Sequence, residues 1–156
     1  MNRLETGLAD AAATEAFGAR LAACCRGGGL LVFLCGDLGA GKTTLVRGLL
    51  RAMGHAGAVK SPTYTLLESY RLDGLQVHHF DLYRLAGAGE LEWLGIRDLL
   101  GADAVCLIEW PERGAGVLPA PDLQLNLVYQ GAGRRLVVSA SGKRGEEVVR
   151  CLQNTC

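Results

Sequence analysis

The fold is indicated above all by nine residues, Gly36-Asp37-Leu38-Gly39-Ala40-Gly41-Lys42-Thr43-Thr44. The first eight match the pattern G-x-x-x-x-G-K-[ST], in which backbone N–H groups of a glycine-rich loop surround the phosphates of a nucleoside triphosphate. In this pattern the lysine, Lys42, places a cation on the β and γ phosphates, and the hydroxyl of Thr43 is a ligand for Mg²⁺. The segment therefore predicts a site for ATP and Mg²⁺, with all nine residues as candidate nucleotide contacts.

The residues on either side supply the structural context that this motif requires. Residues 30–35 form a continuous apolar run between glycines, which predicts a strand buried on both faces. Leu45, Leu49 and Met53 recur on one face of a predicted helix over residues 43–53. A buried strand before the loop and a helix after it are typical of a phosphate-binding loop.

The rest of the chain continues the alternation of strands and helices. Strands alternating with helices predict an α/β fold of the P-loop NTPase type, a three-layer sandwich with a largely parallel central sheet and antiparallel hairpins at its edges. We expect one domain over residues 1–156, because the sequence contains no repeat or linker. The further predicted elements are a helix over 11–25, a hairpin of 63–70 and 75–80, a helix over 89–100, a strand over 104–108, a hairpin of 123–129 and 134–140, and a helix over 146–152.

Composition excludes several other classes of protein. Sixteen basic residues balance sixteen acidic ones, which argues against a surface that grips nucleic acid along its whole length. No apolar stretch is long enough to span a membrane, and no basic-then-apolar leader pattern precedes residue 30, so we expect a cytoplasmic protein. The six cysteines show neither C-x-x-C nor zinc-site spacing, and we interpret them, including the adjacent Cys24 and Cys25, as thiols in a reducing compartment.

A P-loop enzyme also needs a carboxylate at the end of another central strand, to hold Mg²⁺ or its waters. Glu109 follows the apolar run 104–108, and Asp81 follows the predicted strand 75–80, so both are candidates and Glu109 is the favoured one. Thr63 lies between the phosphate-loop helix and the next strand. Its segment is either a switch-like loop over the γ phosphate or a proline-anchored turn, and the spacing does not decide between them.

The two adjacent histidines carry less information. His78 and His79 point to opposite faces of a strand and cannot act together as a metal pair, so the sequence favours ordinary packing or solvent exposure for them.

Four segments, in the same order along the chain, resemble the TsaE (YjeE) family. A further block, residues 90–98, is also similar, and the resemblance covers residues 36–113. The four segments are residues 36–44, Ser61-Pro62-Thr63-Tyr64-Thr65-Leu66, His79-Phe80-Asp81-Leu82-Tyr83-Arg84-Leu85 and Ile108-Glu109-Trp110-Pro111-Glu112-Arg113.

The resemblance implies a P-loop ATPase that acts with TsaD and TsaB in the synthesis of N6-threonylcarbamoyladenosine in tRNA. It implies that TsaD transfers the threonylcarbamoyl group, and that ATP hydrolysis by the TsaE-like subunit resets the complex between turnovers. Hydrolysis by the isolated subunit would then be slow, and tRNA would be reached through the complex rather than by a basic surface of this chain.

The resemblance also assigns roles to individual residues. Thr43 and Glu109 would be the Mg²⁺ ligands, Asp81 would lie near the γ phosphate or the metal, Thr63 would belong to a switch-like loop, and Trp110 would lie near the nucleotide. Together with the phosphate-loop lysine, the candidate catalytic residues are Lys42, Thr63, Asp81 and Glu109.

The ends of the chain match the family less well. Leu8 is a candidate for the base pocket by resemblance, together with Ala9. Arg134 and Arg135 could face the nucleotide or a partner, although a solvated strand end is the interpretation we favour.

Two other functions stay open. A small-molecule or nucleotide kinase would need an arginine-rich lid, and no such insertion is evident in the sequence. A nucleotide-responsive adaptor with negligible hydrolysis would differ from an ATPase only in rate. A GTPase is disfavoured, because the sequence contains no N-K-x-D stretch for guanine recognition.

Overall fold

The computed structural model describes residues 2–101 and 103–154. Strands and helices alternate along most of this part of the chain. In chain order they are β1 (Arg3–Leu8), α1 (Ala11–Cys24), β2 (Leu30–Gly36), α2 (Lys42–Ala52), β3 (Leu67–Leu72), β4 (Leu75–Asp81), α3 (Gly89–Trp93), α4 (Ile96–Gly101), β5 (Ala104–Glu109), a 3₁₀ turn (Pro111–Gly114), β6 (Leu123–Gln130), β7 (Gly133–Ala140) and α5 (Gly142–Asn154).

The strands of the described residues form a seven-stranded sheet in the order β1-β7-β6-β2-β5-β4-β3. The four central strands, β6, β2, β5 and β4, are parallel to one another. The outer pairs β1–β7, β6–β7 and β3–β4 are antiparallel. The predicted sheet, parallel at its centre with antiparallel hairpins at its edges, is confirmed.

Strand β2 is apolar along its length because both of its faces are covered. Leu30, Val32 and Leu34 pack in a core with α1, α2 and α5, and Leu31 packs in a second core with α3 and α4 on the other face. Such double burial is typical of a central parallel strand. The layers are therefore helices, sheet and helices, and the predicted three-layer P-loop NTPase sandwich is confirmed.

Helices α1 and α2 pack with their backbones in contact. A Cβ placed on Gly18 would lie 2.1 Å from the carbonyl oxygen of Leu45, and one placed on Gly48 would lie 2.1 Å from that of Glu15. Only glycine fits at such distances, because no real Cβ approaches a main-chain atom so closely. The close contact fixes the position of α2, and with it the loop that precedes α2.

Two predicted elements are shorter in the structure. The strand predicted over residues 63–70 begins only at residue 67, because the Leu66 N–H donates to the Pro62 carbonyl at 2.8 Å and closes a turn. The helix predicted over residues 89–100 is two short helices, interrupted at Gly95, whose φ of +69° is outside the helical region.

Two other elements are longer or were not predicted. Strand β1 pairs with β7 alone at the edge of the sheet, and its alternation of exposed and half-buried residues gives only a weak hydrophobic pattern. Helix α5 begins at Gly142 rather than at residue 146, and its first residues are polar or glycine. The first and last residues of β1 and α5 are therefore determined by the neighbouring strand or helix rather than by an apolar pattern.

The cysteines differ from the expectation. Cys24 of α1 and Cys151 of α5 form a disulfide, so the interpretation of all six as free thiols is wrong for this pair. The two cysteines are 127 residues apart in sequence and are brought together only by the packing of α1 on α5, so no spacing motif reveals them. Cys25, Cys35 and Cys106 are free thiols. Cys156 lies outside the described residues.

Every helix of the described residues is too short or too polar to cross a bilayer.

Candidate active site

The phosphate loop connects β2 to α2 at the centre of the sheet. Gly39 and Gly41 have φ values of +78° and +111°, a left-handed conformation that side chains with a Cβ disfavour. Gly41 is the N-cap of α2 and makes no side-chain capping hydrogen bond, so the first turn of the eleven-residue helix keeps its N–H groups for another acceptor. An anion is the natural acceptor, because the helix dipole is positive at this end.

Lys42 opens α2 and folds back over the loop. Its Nζ donates to the carbonyl oxygen of Gly36 at 2.5 Å and lies 3.8 Å from the centre of the Trp110 ring. Burial lowers the pKa of the Lys42 ammonium, and the carboxylates of Glu109 and Asp81 oppose part of that shift. The ammonium thus lies beside the loop, in contact with an aromatic face and close to two acids.

Both candidate acids belong to the site. Asp81 ends β4 and Glu109 ends β5, and the two residues are paired in register on neighbouring parallel strands. Both are almost fully buried. The Thr43 hydroxyl donates to Glu109 Oε2 at 3.0 Å, and the Thr63 hydroxyl donates to Asp81 Oδ2 at 3.2 Å. The sequence alternatives are therefore two neighbouring parts of one site.

The oxygens of Thr43 and Glu109 fit a magnesium ion. In an octahedral site with metal–oxygen distances of about 2.0–2.1 Å, two adjacent ligands lie about 2.9 Å apart. The 3.0 Å between Thr43 Oγ1 and Glu109 Oε2 agrees with this separation. Residues 2–101 and 103–154 contain no cluster of three or more His, Cys, Asp or Glu side chains arranged as a metal site.

Asp81 is oriented from two sides. Its Oδ1 accepts the backbone N–H of Tyr83 at 3.0 Å, and its Oδ2 accepts the Thr63 hydroxyl, which also lies 2.7 Å from the hydroxyl of Ser61. The loop that carries Thr63 is thus tied to the end of β4, and the carboxylate is held in one orientation.

These groups line a cavity of about 480 Å³, a volume within the range of small-molecule sites. Of the predicted nucleotide contacts, residues 36, 37 and 40 do not line it, whereas the other six loop residues and Trp110 do. The lining residues are Leu38, Gly39, Gly41, Lys42, Thr43, Thr44, Ser61, Thr63, Asp81, Tyr83, Arg84, Glu109 and Trp110.

A second cavity, of about 190 Å³, lies on the other side of the same loop. Leu8 lines it, together with Ala40, Thr14 and Arg134. Gly39, Gly41 and Thr44 line both cavities, so the two cavities adjoin at the phosphate loop.

Comparison with known proteins places the chain in a family. Residues 8–137 match the sequence model of the family described as threonylcarbamoyl adenosine biosynthesis protein TsaE. The chain belongs to the TsaE family. It is 50% identical over 125 residues to the tRNA threonylcarbamoyladenosine biosynthesis protein TsaE of Haemophilus influenzae, an alignment that covers 80% of this chain and 79% of that protein.

Two further comparisons cover nearly the whole chain. The TsaE protein of Bacillus subtilis is 34% identical over 147 residues, 94% of this chain and 91% of that protein. The crystal structure of Bacillus subtilis YdiB superposes with a TM-score of 0.81 at 30% identity and covers 97% of this chain and 94% of that one. The resemblance to TsaE in the sequence motifs is therefore confirmed.

His79, for which we expected only packing or solvent exposure, contacts an acid of the site. His79 is fully buried, and its Nε2 lies 2.6 Å from Glu109 Oε2, the same oxygen that accepts the Thr43 hydroxyl. His78, on the other face of β4, instead contacts the Ser69 hydroxyl at 2.7 Å through Nδ1. The sequence contains a signal for this position of His79. Side chains of a strand alternate between the two faces of the sheet, so His79, two residues before Asp81, lies on the same face as Asp81.

Arg134, at the start of β7, is not the solvated strand end that we favoured for both arginines, whereas Arg135 is exposed as that interpretation predicts. Arg134 donates through Nε to the Ala40 carbonyl oxygen at 3.1 Å and through Nη2 to that of Gly39 at 3.2 Å, so it contacts the phosphate loop of this TsaE protein directly. Arg135 forms an ion pair with Glu5 across the β1–β7 pair. Both interactions join segments far apart in sequence, which explains why local patterns do not reveal them.

Proposed function

We propose that this chain is the ATP-binding and ATP-hydrolysing subunit of tRNA N6-threonylcarbamoyladenosine biosynthesis, and that it acts with TsaD and TsaB. The convergence of Lys42, Thr43 and Glu109 on one cavity at the N-terminus of α2 carries the proposal. The relatives' printed names supply the pathway, because proteins up to 50% identical over most of the chain are named for threonylcarbamoyladenosine biosynthesis.

The roles of the residues follow from their positions. The loop N–H groups and the Lys42 ammonium bind the phosphates of ATP. Thr43 and Glu109 would hold Mg²⁺, which would neutralise charge on the triphosphate. Asp81, fixed by Thr63 and the Tyr83 N–H, is an oriented acceptor for a proton of the attacking water. Trp110 covers the Lys42 ammonium and excludes water from it.

The balanced charge supports a role for partners in contacting tRNA. Sixteen basic and sixteen acidic residues leave no net positive charge for the phosphate backbone. We therefore propose that tRNA reaches this subunit through the complex, and that ATP hydrolysis by the chain alone is slow and rises when TsaD and TsaB bind.

The test combines nucleotide binding with turnover. At saturating Mg²⁺ we expect Glu109→Ala to bind ATP nearly as well as the wild type but to lose hydrolysis, because the loop and Lys42 remain while a proposed metal ligand is removed. Hydrolysis is measured for the chain alone and with TsaD, TsaB and substrate tRNA, and modified nucleoside is quantified in the same samples. Wild-type levels of modified tRNA with Glu109→Ala would support an adaptor, and a phosphorylated small molecule made by the chain alone would support a kinase.

A further inference from the structure

Side chains of the β6–β7 hairpin hold the phosphate loop by its carbonyl groups. The Tyr129 hydroxyl donates to the carbonyl oxygen of Leu38 at 2.7 Å. Arg134 donates to the carbonyl oxygens of Gly39 and Ala40 at 3.2 and 3.1 Å. Three successive carbonyls of the loop are therefore satisfied by the hairpin rather than by the helix that follows them.

The two hairpin side chains also fix each other. The Arg134 guanidinium lies 4.2 Å from the centre of the Tyr129 ring, and it donates to the carbonyl oxygen of Gly133 at 2.9 Å. A Cβ on Gly39 would come within 3.0 Å of the Tyr129 hydroxyl, so the tyrosine also contacts the loop at a residue with positive φ. The contact is close enough to limit movement of the loop toward the hairpin.

The orientation of the carbonyls decides where the loop's N–H groups point. In a trans peptide the C=O of one residue and the N–H of the next lie in one plane and point in opposite directions. The N–H groups of Gly39 and Gly41 share planes with the carbonyls of Leu38 and Ala40, which point toward the hairpin. These N–H groups therefore point away from the hairpin, and both glycines line the large cavity. The Ala40 N–H is used within the loop, since it donates to the Asp37 carbonyl at 3.0 Å.

We propose that Tyr129 and Arg134 are positioning residues for the triphosphate. They hold the loop with its carbonyls outward before a ligand binds, so that binding does not have to overcome the disorder of a free loop or the repulsion of inward carbonyl oxygens. The inference rests on the nucleotide site of the proposed function and adds two residues that lie outside the phosphate-loop motif.

Inorganic triphosphate is the probe that isolates this effect. It has no base or ribose, so a change in its affinity does not report a contact that Arg134 makes in the smaller cavity. Tyr129→Phe keeps the ring beneath the guanidinium and removes one hydrogen bond to the loop. We expect it to weaken triphosphate binding about 3- to 10-fold, and Arg134→Met, which removes two bonds from a charged donor, to weaken it about 10- to 100-fold.

Arg144→Met is the matched control. Arg144 also donates to main-chain carbonyls, those of Cys25 at 3.1 Å and Gly29 at 3.3 Å, but it does so near the start of β2, at the opposite end from the phosphate loop. Binding is measured by calorimetry on the full chain, and thermal unfolding is recorded for each variant. Arg144→Met should lose stability and keep wild-type affinity for triphosphate.

Hydrogen exchange gives a readout that does not depend on the ligand. In the ligand-free protein, the Ala40 amide, which donates to the Asp37 carbonyl, should exchange faster in Tyr129→Phe than in the wild type, with exchange elsewhere in β2 and α2 unchanged. Wild-type triphosphate affinity in Tyr129→Phe would overturn the inference, and this variant decides the matter if Arg134→Met does not fold. Failure of the wild type itself to bind triphosphate would instead overturn the proposed function.

Discussion

Replacing His79 with leucine removes the hydrogen bond between this buried ring and Glu109, the proposed Mg²⁺ ligand. The bond is 2.6 Å long, and both side chains are almost fully buried, so water cannot readily substitute for the ring. Glu109 keeps its bond from Thr43 but loses the group that orients it from the side of β4. We expect Mg²⁺ to bind more weakly, so that nucleotide binding requires a higher Mg²⁺ concentration. The phosphate loop should be unchanged.

The size of the effect follows from the nature of the bond. A hydrogen bond to a charged group contributes about 1.5–3 kcal/mol, which corresponds to about 10- to 150-fold in an equilibrium constant. Replacement of a residue that orients a metal ligand typically costs about 10- to 100-fold in metal affinity. We therefore expect His79→Leu to raise the Mg²⁺ concentration for half-maximal binding of a fluorescent ATP analogue about 10- to 100-fold.

The assay titrates that analogue at several Mg²⁺ concentrations and again with excess chelator, where His79→Leu should match the wild type. His79→Gln retains an N–H donor of similar reach and should recover part of the affinity for Mg²⁺. His78→Leu is the control, because His78 lies on the same strand but contacts Ser69 on the other face. The reasoning fails if His79→Leu keeps the wild-type Mg²⁺ dependence, or if His78→Leu shifts it as much.

Three further predictions concern stability and thiol chemistry. Gly18→Ala should lower the free energy of unfolding by about 3 kcal/mol or more in a denaturant titration, because its Cβ would meet the main chain of α2. The control is Gly7→Ala, whose Cβ would meet nothing within 4 Å and which should change the free energy of unfolding by less than about 1 kcal/mol. Equal effects of the two substitutions would contradict the close contact of α1 and α2. Cys24→Ser removes the disulfide to Cys151 and should lower the free energy of unfolding by about 2–4 kcal/mol under non-reducing conditions. If a reductant leaves the stability of the wild type unchanged, the disulfide is contradicted. Burial, and secondarily the Glu112 carboxylate, raises the pKa of the Cys35 thiol to about 11. The rate of Cys35 alkylation should therefore rise about tenfold per pH unit from pH 8 to 10. An alkylation rate independent of pH would refute the raised pKa.

The parts of the fold that the sequence predicts well are those encoded locally. The apolar run of β2, the glycines of the loop and the helical period of α2 follow one another within 24 residues, and each has its own signal. The acids that end β4 and β5 are also predictable, because the carboxyl ends of parallel strands meet at one edge of the sheet. The sequence left open whether Asp81 or Glu109 is the acid at the phosphate loop. In the structure the two residues lie side by side.

The parts that the sequence misses depend on tertiary pairing. Strand β1 is defined by its register with β7, and the Cys24–Cys151 bond by the packing of two helices at opposite ends of the chain. Tyr129 and Arg134 contact the phosphate loop only because β6 lies beside β2 in the sheet. His79 shares a face with Asp81, but the partner of its ring is set by the register between β4 and β5.

The proposed function requires the loop at residues 36–44 and the Lys42 ammonium to bind the phosphates of ATP. Calorimetric titration of Mg–ATP into the wild type, Lys42→Ala and Lys143→Ala tests it most directly, because Lys143 is an exposed lysine of α5 whose replacement makes the same change in net charge. We predict one ATP bound per chain for the wild type and for Lys143→Ala, and no measurable binding for Lys42→Ala. Wild-type affinity in Lys42→Ala, with its thermal stability retained, would contradict the account.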